Sequence, residues 1–133
     1  MYDMYQENIL EHYRKPRNFG SLAKPDMEAE DYNPLCGDKI GMGIKIKDGK
    51  IEEIMFSGEG CAISQASASM LTEAVKGKPA EEAARFSKED MLGLLGIPVS
   101  ASRLKCALLG LKVFKLVLYG FMGKSLSGNE YLG

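Results

Sequence analysis

The stretch that decides the fold is MGIKIKDGKIEEIMF, residues 42–56. Its first half alternates apolar residues with polar or small ones, which is the pattern of a half-buried strand, and apolar residues resume after Asp48-Gly49. Asp-Gly is a favoured pair for the type I′ turn, because both central residues of that turn need a positive φ. The stretch therefore predicts an antiparallel hairpin. Ile51 and Ile54 are out of phase, which predicts a β-bulge near Glu52-Glu53.

Helical patterns lie on both sides of this hairpin. An apolar stripe over residues 3–15, with Asp3 as N-cap, predicts the first helix, and an extended segment follows from Lys24 to Tyr32. After the hairpin, the predicted helices span residues 61–75, 79–86, 87–95 and a long segment that begins near Ser100 or Ser102. Ser87 with Asp90 has the spacing of a capping box. This order predicts an α+β domain, with a small antiparallel three-stranded sheet and helices packed on one face.

Length and composition predict one domain over residues 1–133, with a flexible Gly- and Ser-rich tail from about residue 122. The chain is 45% hydrophobic and 26% charged with a net charge of −1, so it has no basic surplus to bind nucleic acid or an anionic membrane. It has no apolar segment of bilayer length and no secretory signal pattern. We therefore expect a cytoplasmic protein.

Three cysteines carry the functional signal, namely Cys36, Cys61 and Cys106. An odd number of thiols cannot all pair within one chain, and in a reducing compartment thiols act as metal ligands, nucleophiles or core residues. Cys36 lies in a turn-rich loop, Cys61 follows two glycines and opens a helix, and Cys106 lies near the start of the last helix beside Lys105. Helix starts and cations favour the thiolate, which binds metal and attacks sulfur. The alternative is that the thiols are inert core residues.

Asp38, two residues after Cys36, is the natural fourth ligand. A carboxylate oxygen is a harder ligand than a thiolate and binds zinc or iron more weakly. A cluster held partly by oxygen is therefore expected to be labile. The alternative is an Asx turn closed by Asp38. We interpret Gly58-Glu59-Gly60 as a hinge that frees Cys61, and the wide spacing of the ligands as a site built on mobile loops.

Other candidate residues are weaker. His12 is the only histidine, and its charged neighbours on the first helix favour a solvated position over metal binding. The serines of the AISQASASM segment, residues 62–70, lack a nearby base, so a serine hydrolase is not supported. The small side chains of this segment instead let another backbone or a ligand approach closely.

Four segments carry a resemblance to a known family: ILEHYRKPRNFG (9–20), NPLCGD (33–38), GEGCAISQASASML (58–71) and RLKCALL (103–109). From about Tyr5 to Lys115 the chain resembles the IscU/SufU group of iron–sulfur cluster assembly scaffolds, which is related to the N-terminal domain of NifU. The resemblance implies that Cys36, Asp38, Cys61 and Cys106 bind a cluster or zinc. It also implies that a cysteine desulfurase delivers persulfide sulfur, with Cys106 as the first acceptor.

The chain departs from that group in three ways. IscU-type members have a histidine before the last cysteine, where this chain has Lys105. An ammonium group cannot bind a metal, so we expect Lys105 to stabilise a thiolate, a persulfide or Asp38 electrostatically. The LPPVK chaperone-docking motif of IscU is replaced by IPVSASRLK (97–105), and the insertion that SufU-type members carry before the last motif is missing.

The resemblance implies a non-enzymatic scaffold that assembles a transient [2Fe–2S] cluster and transfers it to apo-proteins. The implied partners are a cysteine desulfurase, an iron donor and the recipient apo-proteins, and a second copy of the chain can complete the cluster's ligands as a homodimer. The alternative is a zinc-binding, SufU-like sulfur acceptor that activates a desulfurase, in which zinc occupies the same site. A third interpretation is a small interaction domain with a structural zinc ion.

Overall fold

The computed structural model describes residues 4–34 and 37–123. Its elements, in chain order, are α1 (Met4–Arg14), β1 (Met27–Asn33), β2 (Asp38–Lys47), β3 (Lys50–Glu59), α2 (Ala62–Val75), α3 (Ala80–Ala83), α4 (Lys88–Leu95) and α5 (Ala101–Met122). The three strands form one antiparallel sheet in the order β1-β2-β3. This architecture confirms the predicted α+β fold.

The hairpin has the turn and the bulge that its sequence predicts. Asp48 and Gly49 have φ angles of 53° and 76°, as a type I′ turn requires. The register shifts from the pair Lys45–Glu53 to the pair Ile46–Ile51. Glu52 is therefore the extra residue of a β-bulge, which restores the phase between Ile51 and Ile54 so that both side chains are fully buried.

Helices α2 and α5 cover one face of the sheet. The side chains that β2 and β3 turn toward them are fully buried, among them Ile40, Ile44 and Phe56. The two helices also pack closely on each other, because a Cβ atom at Gly110 would lie 3.2 Å from the Ala68 Cα atom. This close approach confirms that the small residues of α2 serve helix packing.

The segment between α1 and β1 crosses the other face of the sheet. It first runs beside the edge of β3, where the Asn18 carbonyl accepts the Phe56 N–H and the Gly20 N–H donates to the Phe56 carbonyl. It ends at the opposite side, where the Asp26 N–H donates to the Ile44 carbonyl.

Within residues 4–34 and 37–123, no helix has the length and the apolar character that a membrane span needs.

The prediction for His12 was wrong, because its side chain is only 4% exposed. His12 Nδ1 lies 2.7 Å from the Ser69 hydroxyl on α2, and Nε2 lies 3.8 Å from a carboxylate oxygen of Glu73. Burial, followed by the positive charge of Arg17, lowers the pKa of His12 below its ordinary value. The imidazole therefore connects α1 to α2 through its contacts with Ser69 and Glu73 instead of facing solvent.

The predicted helices after the hairpin need smaller corrections. Helix α3 ends at Ala83, short of the predicted residue 86. Ser87 and Asp90 form the predicted capping box, in which each side chain accepts the other residue's backbone N–H. The spacing of apolar residues along α5 predicts a buried Phe121, whereas its side chain is 41% exposed. Asp3 and residues 124–133, most of the predicted tail, lie outside the described residues, and Met122 still belongs to α5.

Candidate metal centre

Three of the four predicted ligands come together in the fold. One ligand atom each from Asp38, Cys61 and Cys106 can be chosen so that all lie within 4.8 Å of one another. The three residues belong to different elements: Asp38 begins β2, Cys61 is the N-cap of α2, and Cys106 lies in the second turn of α5. The fourth, Cys36, lies outside the described residues.

The Asp38 carboxylate is fully buried, and its two oxygens make different contacts. Oδ1 accepts the Cys61 backbone N–H at 2.8 Å, which satisfies a donor at the start of α2. Oδ2 lies 3.6 Å from Cys61 Sγ. Since Oδ1 is already occupied, Oδ2 is the oxygen that faces the thiol and is placed to bind a metal.

The glycines before Cys61 serve close packing, and the hinge interpretation was wrong. Gly58 is a paired residue of β3, and a Cβ atom there would lie 2.1 Å from the Lys39 carbonyl oxygen. Gly60 has a φ of 139°, and its Cβ would lie 2.1 Å from Asp38 Oδ1. A side chain at either position would therefore displace the strand or the carboxylate.

The Cys106 thiol is 1% exposed, whereas Cys61 is partly exposed. Cys106 follows the first turn of α5, so the helix dipole, which acts within that turn, has little effect on it. The side chain of Asn33 reaches it, with Nδ2 at 4.0 Å from Cys106 Sγ. Asn33 was not among the predicted site residues, because its only signal in the sequence is its place directly before Pro34 in the loop that contains Cys36.

Lys105 points into solvent at the rim of a groove. No ion pair between Lys105 and Asp38 is recorded in the part of the chain that the structure describes. The structure therefore gives no direct contact by which Lys105 would stabilise Asp38. Stabilisation of an incoming persulfide by Lys105 stays a prediction.

The groove beside Cys106 has a volume of about 460 Å³. Its floor includes Leu104, Leu108 and Leu109, and Tyr32, which is 62% exposed, stands at its edge. Three lysines line it as well: Lys88, Lys105 and Lys112. Asn33 and Pro34 also line it, so the groove adjoins the residues around the candidate centre.

Among residues 4–34 and 37–123, Lys112 is the one lysine of the groove that forms an ion pair. Lys112 Nζ lies 2.6 Å from Asp31 Oδ2. Burial would raise the pKa of Asp31, but the hydrogen bonds from Lys112 and from the Tyr32 backbone and the charge of Lys112 hold it below its ordinary value. Lys88 and Lys105 have no ion pair recorded within the described ranges, so the groove rim carries excess positive charge.

The donor set suits a borderline or soft metal. Thiolates bind zinc and iron at about 2.3 Å, so ligand atoms within 4.8 Å of one another need only small shifts to surround one ion. A carboxylate and two thiolates without a cation between them repel one another, and the repulsion is stronger in a buried site. A metal ion or a cluster removes that repulsion, so the residues fit such a group.

Comparisons with known proteins agree with this geometry. The NifU-like N terminal domain family matches residues 4–127. The zinc-dependent sulfurtransferase SufU of Bacillus subtilis is 37% identical, over 84% of this chain and 87% of that protein. The iron-sulfur cluster assembly scaffold protein IscU 1 of Archaeoglobus fulgidus is 40% identical over 70% of this chain, and the match spans 61% of that protein's length. The scaffold protein IscU of Aquifex aeolicus is 34% identical, over 90% and 77%.

Solved structures show the same fold. A putative iron-sulfur cluster assembly scaffold protein for the SUF system from Fervidobacterium islandicum AW-1 matches with a TM-score of 0.74 and 25% identity, over 88% of this chain and 96% of that one. The N-terminal part of a nitrogen-fixing NifU-like protein from Brucella abortus matches with a TM-score of 0.73 and 25% identity, over 92% and 96%. The family match covers nearly the whole chain, and the relatives and the fold agree with it, so the chain belongs to the NifU-like N-terminal domain family.

Proposed function

We propose that this chain is a scaffold on which a transient [2Fe–2S] cluster is assembled and from which it passes to apo-proteins. The observation that carries the proposal is the convergence of Asp38, Cys61 and Cys106, whose ligand atoms lie within 4.8 Å of one another. The family and the scaffold proteins among its relatives support it. The cluster is cargo here, so the chain acts as a carrier and not as an enzyme, although one relative, from Drosophila melanogaster, is named a cluster assembly enzyme.

In this proposal the four ligands differ in strength. Cys36, Cys61 and Cys106 supply thiolates, and Asp38 supplies Oδ2, a harder and weaker donor to iron. The weak oxygen ligand gives the cluster a bond that breaks readily during transfer. Recruitment of a donor from a second copy of the chain would give a homodimer that exists only with the cluster bound.

Sulfur arrives as persulfide from a cysteine desulfurase. The Cys106 thiolate attacks the terminal sulfur of the donor's persulfide, the donor's S–S bond breaks, and the donor leaves as a thiolate, so this transfer needs no external oxidant or reductant. Release of that sulfur as cluster sulfide breaks the new S–S bond and takes two electrons per sulfur, which ferrous iron and a thiol reductant such as free cysteine supply. Because Cys106 is 1% exposed, the surrounding residues must open before the two sulfurs can meet. Iron comes from a separate donor.

The groove beside Cys106 is the docking place that we assign to the sulfur donor. Its apolar floor suits an apolar side chain, and the ammonium groups of Lys88 and Lys105 favour an acidic segment. Lys105 and Leu109 line it and are close neighbours of Cys106 in α5. A donor segment seated there lies next to the thiol that receives the sulfur.

The second candidate is a zinc-binding sulfur acceptor that activates a desulfurase. It is favoured by the match to a zinc-dependent sulfurtransferase and by Lys105, which cannot bind the metal. Zinc would use the same residues as the cluster. A cytoplasmic location remains a prediction, because some of the related proteins are named as mitochondrial.

Anaerobic reconstitution separates the two candidates. The purified chain is incubated with ferrous iron, cysteine and a cysteine desulfurase, and its visible absorption and metal content are measured. The scaffold proposal predicts a coloured protein with two irons and two sulfides per cluster, whereas a colourless protein that keeps one tight zinc ion contradicts it.

Mass spectrometry after one turnover without iron should find the added sulfur on Cys106, and finding it only on Cys36 or Cys61 refutes that assignment.

A further inference from the structure

Asn33 is a buried polar residue at the end of β1 and is not one of the four proposed ligands. It is 6% exposed, and its side-chain amide lies 4.0 Å from Cys106 Sγ, with Nδ2 as the donor. Asparagine is disfavoured in strands, and burying an amide lowers the free energy of unfolding unless hydrogen bonds compensate. A buried amide beside a thiol at this position therefore calls for a chemical reason.

The backbone of Asn33 touches the other parts of the candidate centre. Its carbonyl oxygen accepts the Gly37 N–H at 2.8 Å, which closes the connection between β1 and β2. Its Cα is paired in the sheet with that of Asp38. Asn33 thus joins the connection that contains Cys36, the strand that holds Asp38 and the helix that holds Cys106.

Cys106 needs a donor because it is 1% exposed. A charged sulfur buried from water is unfavourable unless a metal or hydrogen-bond donors compensate for the lost hydration. Donors to thiolate sulfurs also orient the ligand and reduce its electron donation to the metal, and such outer contacts tune both affinity and reduction potential. The Asn33 amide can provide this donation without adding a charge.

We propose that Asn33 is a positioning residue for Cys106: its amide donates to Sγ and holds the sulfur toward Asp38 and Cys61. This inference rests on the proposed function, because it assumes that Cys106 binds the metal or cluster. It adds that the sulfur of Cys106 differs electronically from that of Cys61, which lies 3.6 Å from the Asp38 carboxylate.

The test uses Co²⁺ and Zn²⁺ as probes of the full chain. Bands from sulfur-to-cobalt charge transfer report how strongly each thiolate donates electrons, and competition with a chelator gives the zinc affinity. Asn33→Ala and the isosteric Asn33→Asp both remove the N–H donor. We expect the charge-transfer bands to shift to lower energy in Asn33→Ala, and zinc affinity to fall by about tenfold or more in both variants.

Two controls isolate the contact. Glu28→Ala changes an exposed residue of the same strand and should leave the band energies unchanged. In a Cys106→Ala background, Asn33→Ala should cause no further shift, because the sulfur on which it acts is gone. Circular dichroism checks that every variant is folded.

Four results would count against the proposal. Unchanged band energies in a folded Asn33→Ala variant contradict it, and so does an equal shift in the Cys106→Ala background. Loss of the fold in both Asn33 variants would assign the residue a purely structural role. Failure of the unaltered chain to bind Co²⁺ or Zn²⁺ would instead contradict the proposed metal centre itself.

Discussion

At the scale of single residues, Asp38 has the largest part in the account. It is fully buried, it accepts the N–H that begins α2, and its second oxygen faces Cys61 Sγ. The sequence predicted Asp38 as a ligand because it lies two residues after Cys36 and because carboxylates bind metals. It did not show the bond to the Cys61 backbone, which depends on how the end of β3 meets the start of β2.

Replacement of Asp38 by Ala should slow release of a bound cluster. The substitution removes the weak oxygen ligand, and with it a place where water or a recipient's ligand can attack. The measurement is the decay of visible absorption when a chelator is added to the reconstituted protein. The variant should also be less stable by about 1–3 kcal/mol, because the buried Cys61 N–H loses its acceptor. Faster loss of colour in a folded variant would contradict the labile role of Asp38.

The buried His12 predicts a pH dependence of stability. Its pKa is lowered in the folded chain by burial and by Arg17, against the opposing charges of Glu73 and Glu11. Below the ordinary value of 6.5, the unfolded chain binds a proton that the folded chain resists, so the free energy of unfolding should fall as the pH drops through 6.5. Denaturant titrations should show a shallower fall of the free energy of unfolding in His12→Gln as the pH drops below 6.5. Equal slopes would contradict this assignment.

At the scale of elements, the hairpin and the capping box follow from local chemistry, and the sequence predicts both. The bulge at Glu52 follows from the phase of Ile51 and Ile54, and the α4 cap follows from the spacing of Ser87 and Asp90. Contacts between distant elements determine the features that local patterns missed. His12 is buried because α2 presents Ser69 to it, and no pattern within α1 encodes that contact.

Gly60 shows the same limit, because a glycine before a helix has several explanations. The sequence suggested a hinge, whereas the structure shows that a Cβ atom would overlap the Asp38 carboxylate. Such an overlap is visible only when the end of β3 and the start of β2 are placed side by side. The position of the carboxylate therefore depends on a glycine distant in sequence.

Gly60→Ala should displace Asp38 and weaken metal binding. The matched control is Gly77→Ala, which also has a positive φ, of 84°, but has no atom within 4 Å of the added Cβ. Both variants should lose about 1–3 kcal/mol of stability through backbone strain. Only Gly60→Ala should also lose zinc affinity, measured by chelator competition. Equal zinc affinity in the two variants would show that Gly60 does not position the carboxylate.

At the scale of the whole molecule, the sheet and the helix pair α2–α5 bring the candidate ligands together from three elements. The sequence predicted the fold class and the ligand types, and the resemblance implied which residues act together. The groove beside Cys106 could not be predicted, because its lining comes from β1, α4 and α5. Its residues acquire a common role only when these elements are packed.

The groove predicts a salt-sensitive interaction with the sulfur donor. Tyr32→Ala combined with Lys88→Glu removes an exposed ring and reverses a rim charge, so sulfur transfer from a desulfurase should slow by about tenfold at low ionic strength. The matched control combines Tyr13→Ala with Lys24→Glu, an exposed ring and an exposed lysine outside the groove lining. Equal transfer rates in the two double variants would contradict docking in the groove. Assembly from inorganic sulfide, which needs no donor protein, serves as the reference.

Transfer of the cluster to another protein is the most direct test of the proposed scaffold function. The reconstituted chain is mixed anaerobically with an apo-ferredoxin, and circular dichroism follows the cluster from one protein to the other in the presence of a chelator. If the chain is a scaffold, the cluster should reach the ferredoxin intact and faster than it forms there from free iron and sulfide. A cluster that stays on the chain, or a ferredoxin that gains its cluster no faster than from the free ions, would contradict the scaffold function.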